Sequence, residues 1–280
     1  MASGNCVPYN GQAHREMITS SSNSKAKYVR KLQNQKSVRQ QDRRFVLEGV
    51  RLVEEVVRAS RVPSLVFYTE ALAEEGRGKA LLATLRGLGA PCSLVSDSVM
   101  ESCSDTVTPQ GILAVLPFPD LIPPQPATFV LIADRLRDPG NLGTLLRTAL
   151  AAGVEQVLLA PGTVDYTNPK VVRSAMGAHL WLPISDADWH IITETVSGCT
   201  VWLAAAGGAK VYTEVDWTHP AALIVGSEAH GAGDKARSLA DGRISIPIEP
   251  VVDSLNAAVA GAVILFEVVR QRGLVGPNLA

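Results

Sequence analysis

Three stretches combine small residues with polar side chains in patterns that could hold a ligand. In residues 134–149, DRLRDPGNLGTLLRTA, Pro139 and Gly140 form a turn, Asn141 stands near a helix start, and Arg147 lies about two turns along that helix. Residues 225–233, VGSEAHGAG, form a Gly-rich loop whose backbone can approach a ligand closely. Residues 244–270 read as a short strand, a tight loop and a long apolar helix, with Ser254 at the N-cap position and Leu255, Val259, Ala262, Val263, Phe266 and Val269 at helical spacing. A helix N-terminus leaves its first N–H groups unpaired and partially positive, so Ser254, Leu255 and Asn256 lie where backbone donors can meet a ligand. Taken alone, Ser254 is also what an ordinary capped core helix shows. The Gly-rich loop lacks the lysine of a P-loop and the spacing of G-x-G-x-x-G, so a P-loop ATPase and a nicotinamide dehydrogenase are poor fits.

These stretches need a scaffold. Apolar segments at 129–133, 156–160, 180–184, 200–204, 222–225 and 244–248 alternate with helical patterns at 141–152, 169–176 and 188–196, which predicts a largely parallel sheet covered on both faces. Ligands of such sheets collect beyond the carboxyl ends of the strands, where the three stretches and the Ala205-Ala206-Gly207-Gly208 turn all fall. Upstream, strands at 65–68, 93–95 and 112–116 with helices at 79–88 and 97–103 predict a smaller α/β unit, preceded by a helix with one apolar stripe through Val50, Val53 and Val57. The run PFPDLIPPQPAT between them predicts an extended linker. The predicted organisation is a loosely attached segment at 1–23, a small domain at 24–116, the linker at 117–128, the parallel-sheet domain at 129–273 and a tail at 274–280. The helix after Leu255 is apolar around much of its circumference and suits an internal or subunit interface.

Charge is divided unevenly. The chain carries a net charge of −1, yet residues 25–44 hold eight basic side chains against Asp42 alone. That run fits either a nucleic-acid footprint or a solvated helix face. Cys6, Cys92, Cys103 and Cys199 form no C-x-x-C pair, so neither a zinc site nor a disulfide framework is expected. With no apolar run of membrane-spanning length and no signal-peptide layout, a soluble cytoplasmic protein is expected.

Order and separation make the motifs more specific together than singly. NLGTLLRTA at 141–149, VGSEAHGAG at 225–233 and IPIEPVVDSLNAAVA at 246–260 resemble the SpoU (TrmH-like) branch of the SPOUT RNA ribose 2′-O-methyltransferases. KYVRKL at 27–32, FVLEGVRLVEE at 45–55 and TPQGILAV at 108–115 resemble that family's N-terminal substrate-binding domain. The resemblance implies a trefoil-knotted C-terminal domain, S-adenosylmethionine as methyl donor, a homodimer without a metal, and an RNA substrate. The two-domain layout points to large-subunit rRNA, with an antibiotic-resistance methyltransferase as a variant; a tRNA substrate or a non-catalytic RNA-binding or ribosome-assembly role is the alternative.

Carried over position by position, the resemblance assigns donor binding to the backbone at Ala205, Gly226, Ile246 and Leu255. It assigns the central catalytic role to Arg147, aided by Asn141, Glu228, Ser254 and Asn256. Guanidinium normally stays protonated, so a phosphate clamp that orients the hydroxyl suits Arg147 better than a literal base; an ion pair with Glu228 is the structural alternative. Lys27, Arg30, Lys31 and Arg173 are the candidate RNA contacts, although Arg173 fits a surface salt bridge nearly as well. His179 and His230 are read as surface or loop residues. Two departures stand out: Ala229 occupies a position where the family carries glycine, and Ser174 precedes Ala175 where the family more often shows the reverse order.

Overall fold

The computed structural model describes residues 17–227 and 231–273, and two sheets organise them. The first has four strands in the order β1 (Arg44–Glu48), β4 (Ile112–Pro117), β2 (Leu65–Tyr68) and β3 (Cys92–Leu94). β1 and β2 run antiparallel to β4, and β3 runs parallel to β2. Helices α1 (Ser24–Asn34) and α6 (Asp97–Cys103) pack Ala26, Val29, Val99 and Met100 against one face; α3 (Val50–Arg58) and α5 (Gly76–Gly87) pack Val53, Leu82 and Leu85 against the other, with short helices α2 (Lys36–Asp42) following α1 and α4 (Glu70–Glu74) preceding α5.

Burial on both faces explains why β1 escaped the strand prediction. Its residues Phe45 to Glu48 are all buried and therefore show no alternation. A second difference lies upstream, where Ile18 N–H donates to Leu94 O at 2.9 Å and Ile18 O accepts from Ser96 N at 3.0 Å. Residues 17–23 are thus tied to the sheet rather than loosely attached, while residues 1–16 and the predicted tail at 274–280 lie outside the described residues.

The second sheet has seven strands, all parallel, in the order β7 (Ile184–Asp186), β6 (Gln156–Leu159), β5 (Phe129–Asp134), β10 (Ala221–Gly226), β8 (Thr200–Ala204), β11 (Gly242–Ser245) and β9 (Lys210–Val211). One face is covered by α7 (Pro139–Ala151), α8 (Pro169–Ser174) and α11 (Ala257–Arg272), the other by α9 (Trp189–Thr195) and α10 (Asp234–Leu239). Two glycines let the helices of the first face approach: a Cβ on Gly143 would lie 2.4 Å from Ser174 Cβ, and one on Gly261 would lie 2.5 Å from Leu145 Cδ1.

The strand expected at 180–184 is displaced. Residues Ala178–Leu180 form a 3₁₀ turn, and pairing starts only where Pro183 O accepts from Val157 N at 2.9 Å. Leu180 is instead buried with Phe45, Leu47 and Leu116 from strands of the first sheet and Val172 from a helix covering the second. A buried ion pair crosses the same junction, Arg39 Nη2 to Asp165 Oδ2 at 2.5 Å, with Arg39 Nη1 also donating to Leu32 O at 2.7 Å.

Candidate functional site

Three loops leave the carboxyl ends of β8, β10 and β11 and enclose a cavity of about 290 Å³. Ala205, Gly226, Ile246, Ser254 and Leu255 all line it, together with Ala257 and Ile264 from α11. Its wall is largely apolar, and backbone is admitted where side chains would not fit. A Cβ on Gly226 would sit 2.7 Å from Ala232 N, and one on Gly208 would sit 2.5 Å from the Ile244 carbonyl carbon. Ala205 N–H is itself fixed by Ile244 O at 2.9 Å.

The helix start beside this cavity differs from the expected one. Asn256, not Ser254, caps α11, because its Oδ1 accepts from both Ala258 N at 3.0 Å and Val259 N at 3.2 Å. Ser254 stands exposed on the rim, free of a capping duty. The Asn256 amide nitrogen donates across to Asn141 Oδ1 at 2.9 Å. Asn141 is set by its own helix, since Asp138 caps α7 and accepts Asn141 N–H at 2.8 Å.

Arg147 lies six residues further along α7, about 9 Å down the axis and about a third of a turn round from Asn141. It is exposed, does not line the cavity, and has no hydrogen-bond or ion-pair partner among the described residues. Glu228, Ala229 and His230 lie outside the described residues, although the flanking Ser227 and Gly231 form an isolated bridge.

The candidate RNA contacts fall into two groups. Lys27 and Lys31 are exposed on α1, and Arg30 beside them donates to Ser21 O at 2.7 Å. Arg173 is engaged in an ion pair with Asp105 at 2.6 Å across the junction between the two sheets. Of the basic run at 25–44, Arg39 is structural, as its buried pair with Asp165 requires.

His179 is not a surface residue. It is 5% exposed, stacks on Tyr166 at 6.0 Å between ring centroids, and bonds Tyr166 O through Nε2 at 2.7 Å. Burial lowers its pKa to about 4, against a smaller raising effect of that backbone bond. One buried acid beside the site belongs to none of the three motifs. Asp134 is 1% exposed, lies in register with Gly226, and accepts Gly233 N–H through Oδ2 at 2.6 Å. An acid closing the apolar strand at 129–133 was the visible signal.

Residues 128–266 match the SpoU rRNA methylase family, and residues 23–114 match the MRM3-like substrate binding domain. An uncharacterized tRNA/rRNA methyltransferase of Synechocystis is 34% identical, covering 91% of this chain and 94% of that one. The 23S rRNA (guanosine(2553)-2′-O)-methyltransferase RlmP of Bacillus subtilis is 32% identical, covering 90% of this chain and 98% of its own. Among solved structures, the SpoU methyltransferase AviRb of Streptomyces viridochromogenes in complex with AdoMet superposes with a TM-score of 0.80 at 26% identity, over 89% of this chain and 98% of that one. The chain therefore belongs to the SpoU rRNA methylase family.

Proposed function

We propose that this protein transfers a methyl group from S-adenosylmethionine to a ribose 2′-hydroxyl of large-subunit rRNA. The observation that carries the reading is the convergence of Ala205, Gly226, Ile246 and Leu255, from three separate loops, on one apolar cavity beside the Asn141–Asn256 pair. Gly226 packs its backbone against Ala232, with no room for a Cβ, and a wall of close-packed backbone and apolar side chains suits a flat heterocycle held by backbone groups. Ala205, Gly226, Ile246 and Leu255 would hold the donor, which supplies an activated methyl group on a sulfonium.

The chain's own work is positioning and proton removal. The Asn141–Asn256 pair and the free hydroxyl of Ser254 face the acceptor ribose. Arg147 clamps a phosphate so that the hydroxyl is aimed and its proton leaves to water. Glu228 keeps the assisting role that the family pattern gives it.

The exposed stripe of Val259 and Phe266 on α11, with Ile248 and Val252 close by in sequence, supports a homodimer joined through this helix. In such a dimer Arg147, exposed in one copy, can serve a site completed by its partner. We assign the four-stranded sheet at 24–116 to RNA selection, with Lys27, Arg30 and Lys31 as its contacts and Arg173 contributing only if it leaves Asp105. The knot, the linker at 117–128 and a cytoplasmic location belong to the same proposal; no helix of the described residues is long and apolar enough to cross a membrane.

Calorimetric titration with S-adenosylhomocysteine tests the donor site. Wild type is expected to bind and Gly226→Val to lose binding, because the added Cβ meets Ala232 N. Undiminished binding by Gly226→Val would contradict the assignment.

A further inference from the structure

Arg135 has a left-handed backbone with φ 56°, a conformation in which a side chain brings strain that glycine avoids. The conformation is held deliberately: Arg135 N–H donates to Thr163 Oγ1 at 3.0 Å, and that hydroxyl donates to Ala133 O at 3.0 Å. Its side chain runs through a channel of glycines. A Cβ on Gly162 would lie 3.2 Å from Arg135 Cγ, and one on Gly233 would lie 3.1 Å from Arg135 Cζ.

Gly233 is fixed in turn by Asp134, whose other oxygen lies 3.8 Å from Arg135 Nε. The inner edge of the guanidinium is thus packed, with Nε buried and lacking a hydrogen bond. The side chain is nevertheless 37% exposed, and no acceptor among the described residues takes its terminal N–H groups. Arg237 adds positive charge to the same loop, donating through Nε to Ala232 O at 3.0 Å and remaining exposed. Gly226 and Gly231, which line the cavity, belong to the same loop as Ala232 and Gly233.

We propose that Arg135 is an RNA-binding residue whose guanidinium takes a phosphate of the chain next to the acceptor ribose. The inference rests on the methyl-transfer reading. A planar fork of donors, rigidly seated and without an acceptor, matches phosphodiester oxygens better than any neutral ligand group. Asp134 faces only the inner edge of the guanidinium, 3.8 Å from Nε, and leaves the terminal N–H groups to a ligand.

Arg135→Gly removes the guanidinium and suits the left-handed backbone, so the fold should survive; Arg135→Lys keeps the charge without the fork. S-adenosylhomocysteine affinity and steady-state methylation of an unmodified 23S rRNA transcript would be measured for both variants and wild type, with RNA binding followed across salt concentrations. Arg135→Gly is expected to raise the KM for RNA about tenfold, leave kcat and donor affinity within about twofold, and flatten the slope of log Kd against log salt by about one; Arg135→Lys should fall between. Unchanged RNA affinity and slope would overturn the proposal. A parallel fall in donor affinity would also overturn it, by making Arg135 a support of the 226–233 loop. Wild type that neither binds nor methylates the transcript or large-subunit particles would overturn the underlying reading and this inference with it.

Discussion

Asn256 and Asn141, 115 residues apart, are joined by a single hydrogen bond of 2.9 Å from the Nδ2 of one to the Oδ1 of the other. The bond fixes the start of α11 against the start of α7 at the edge of the cavity. Asn256 therefore has two separable duties: its oxygen caps α11 and its nitrogen reaches Asn141. Asn256→Asp should keep the cap and lose the cross-link, so stability stays within about 0.5 kcal/mol while kcat falls at least about tenfold. Asn256→Ala should lose both, with about 1 kcal/mol of stability going as well. Denaturant unfolding beside methyl-transfer kinetics separates the two; equal kcat in Asn256→Asp and wild type would remove Asn256 from the site.

The junction between the sheets depends on a buried ion pair. Asp165→Ala leaves Arg39 charged and nearly dry, which is expected to cost about 3 kcal/mol. Arg39→Met combined with Asp165→Ala removes both charges and should recover more than about 1 kcal/mol of that loss. Additive losses in a double-mutant cycle would mean that the pair contributes no coupling.

His179 makes stability depend on pH. Its folded pKa is near 4 against an ordinary 6.5, so between these values the unfolded chain takes up a proton that the native junction refuses. Stability should be complete above about pH 6.5 and decline toward pH 4 by up to about 3 kcal/mol. His179→Phe should flatten that slope, whatever it costs at neutral pH. Identical slopes in variant and wild type would place the acid sensitivity elsewhere.

What could be read before folding follows from local physics. The bounds of α6 and β8 coincide with expectation, because a capping serine, an apolar stripe or a short β-branched run decides each locally. β9, with two residues, and α10, with six, are too short to show a period and were missed. The α11 cap moved from Ser254 to Asn256 because an amide can accept from two helix N–H groups and still donate to Asn141, a partner no local pattern reveals. His179 was misread for a similar reason: its burial depends on Phe45 and Tyr166, one from each sheet's side of the junction. The convergence of Ala205, Gly226, Ile246 and Leu255 was suggested by motif resemblance and not by periodicity, which carries no information about which loops meet.

Transfer of tritiated methyl from S-adenosylmethionine to unmodified 23S rRNA and to large-subunit particles, for wild type and Arg147→Ala, tests the central claim most directly. Label in alkali-resistant dinucleotides is predicted for wild type, with kcat at least about a hundredfold lower in Arg147→Ala and donor affinity unchanged, since Arg147 is exposed and does not line the cavity. Label that alkali releases as mononucleotides, or full transfer by Arg147→Ala, would contradict the account.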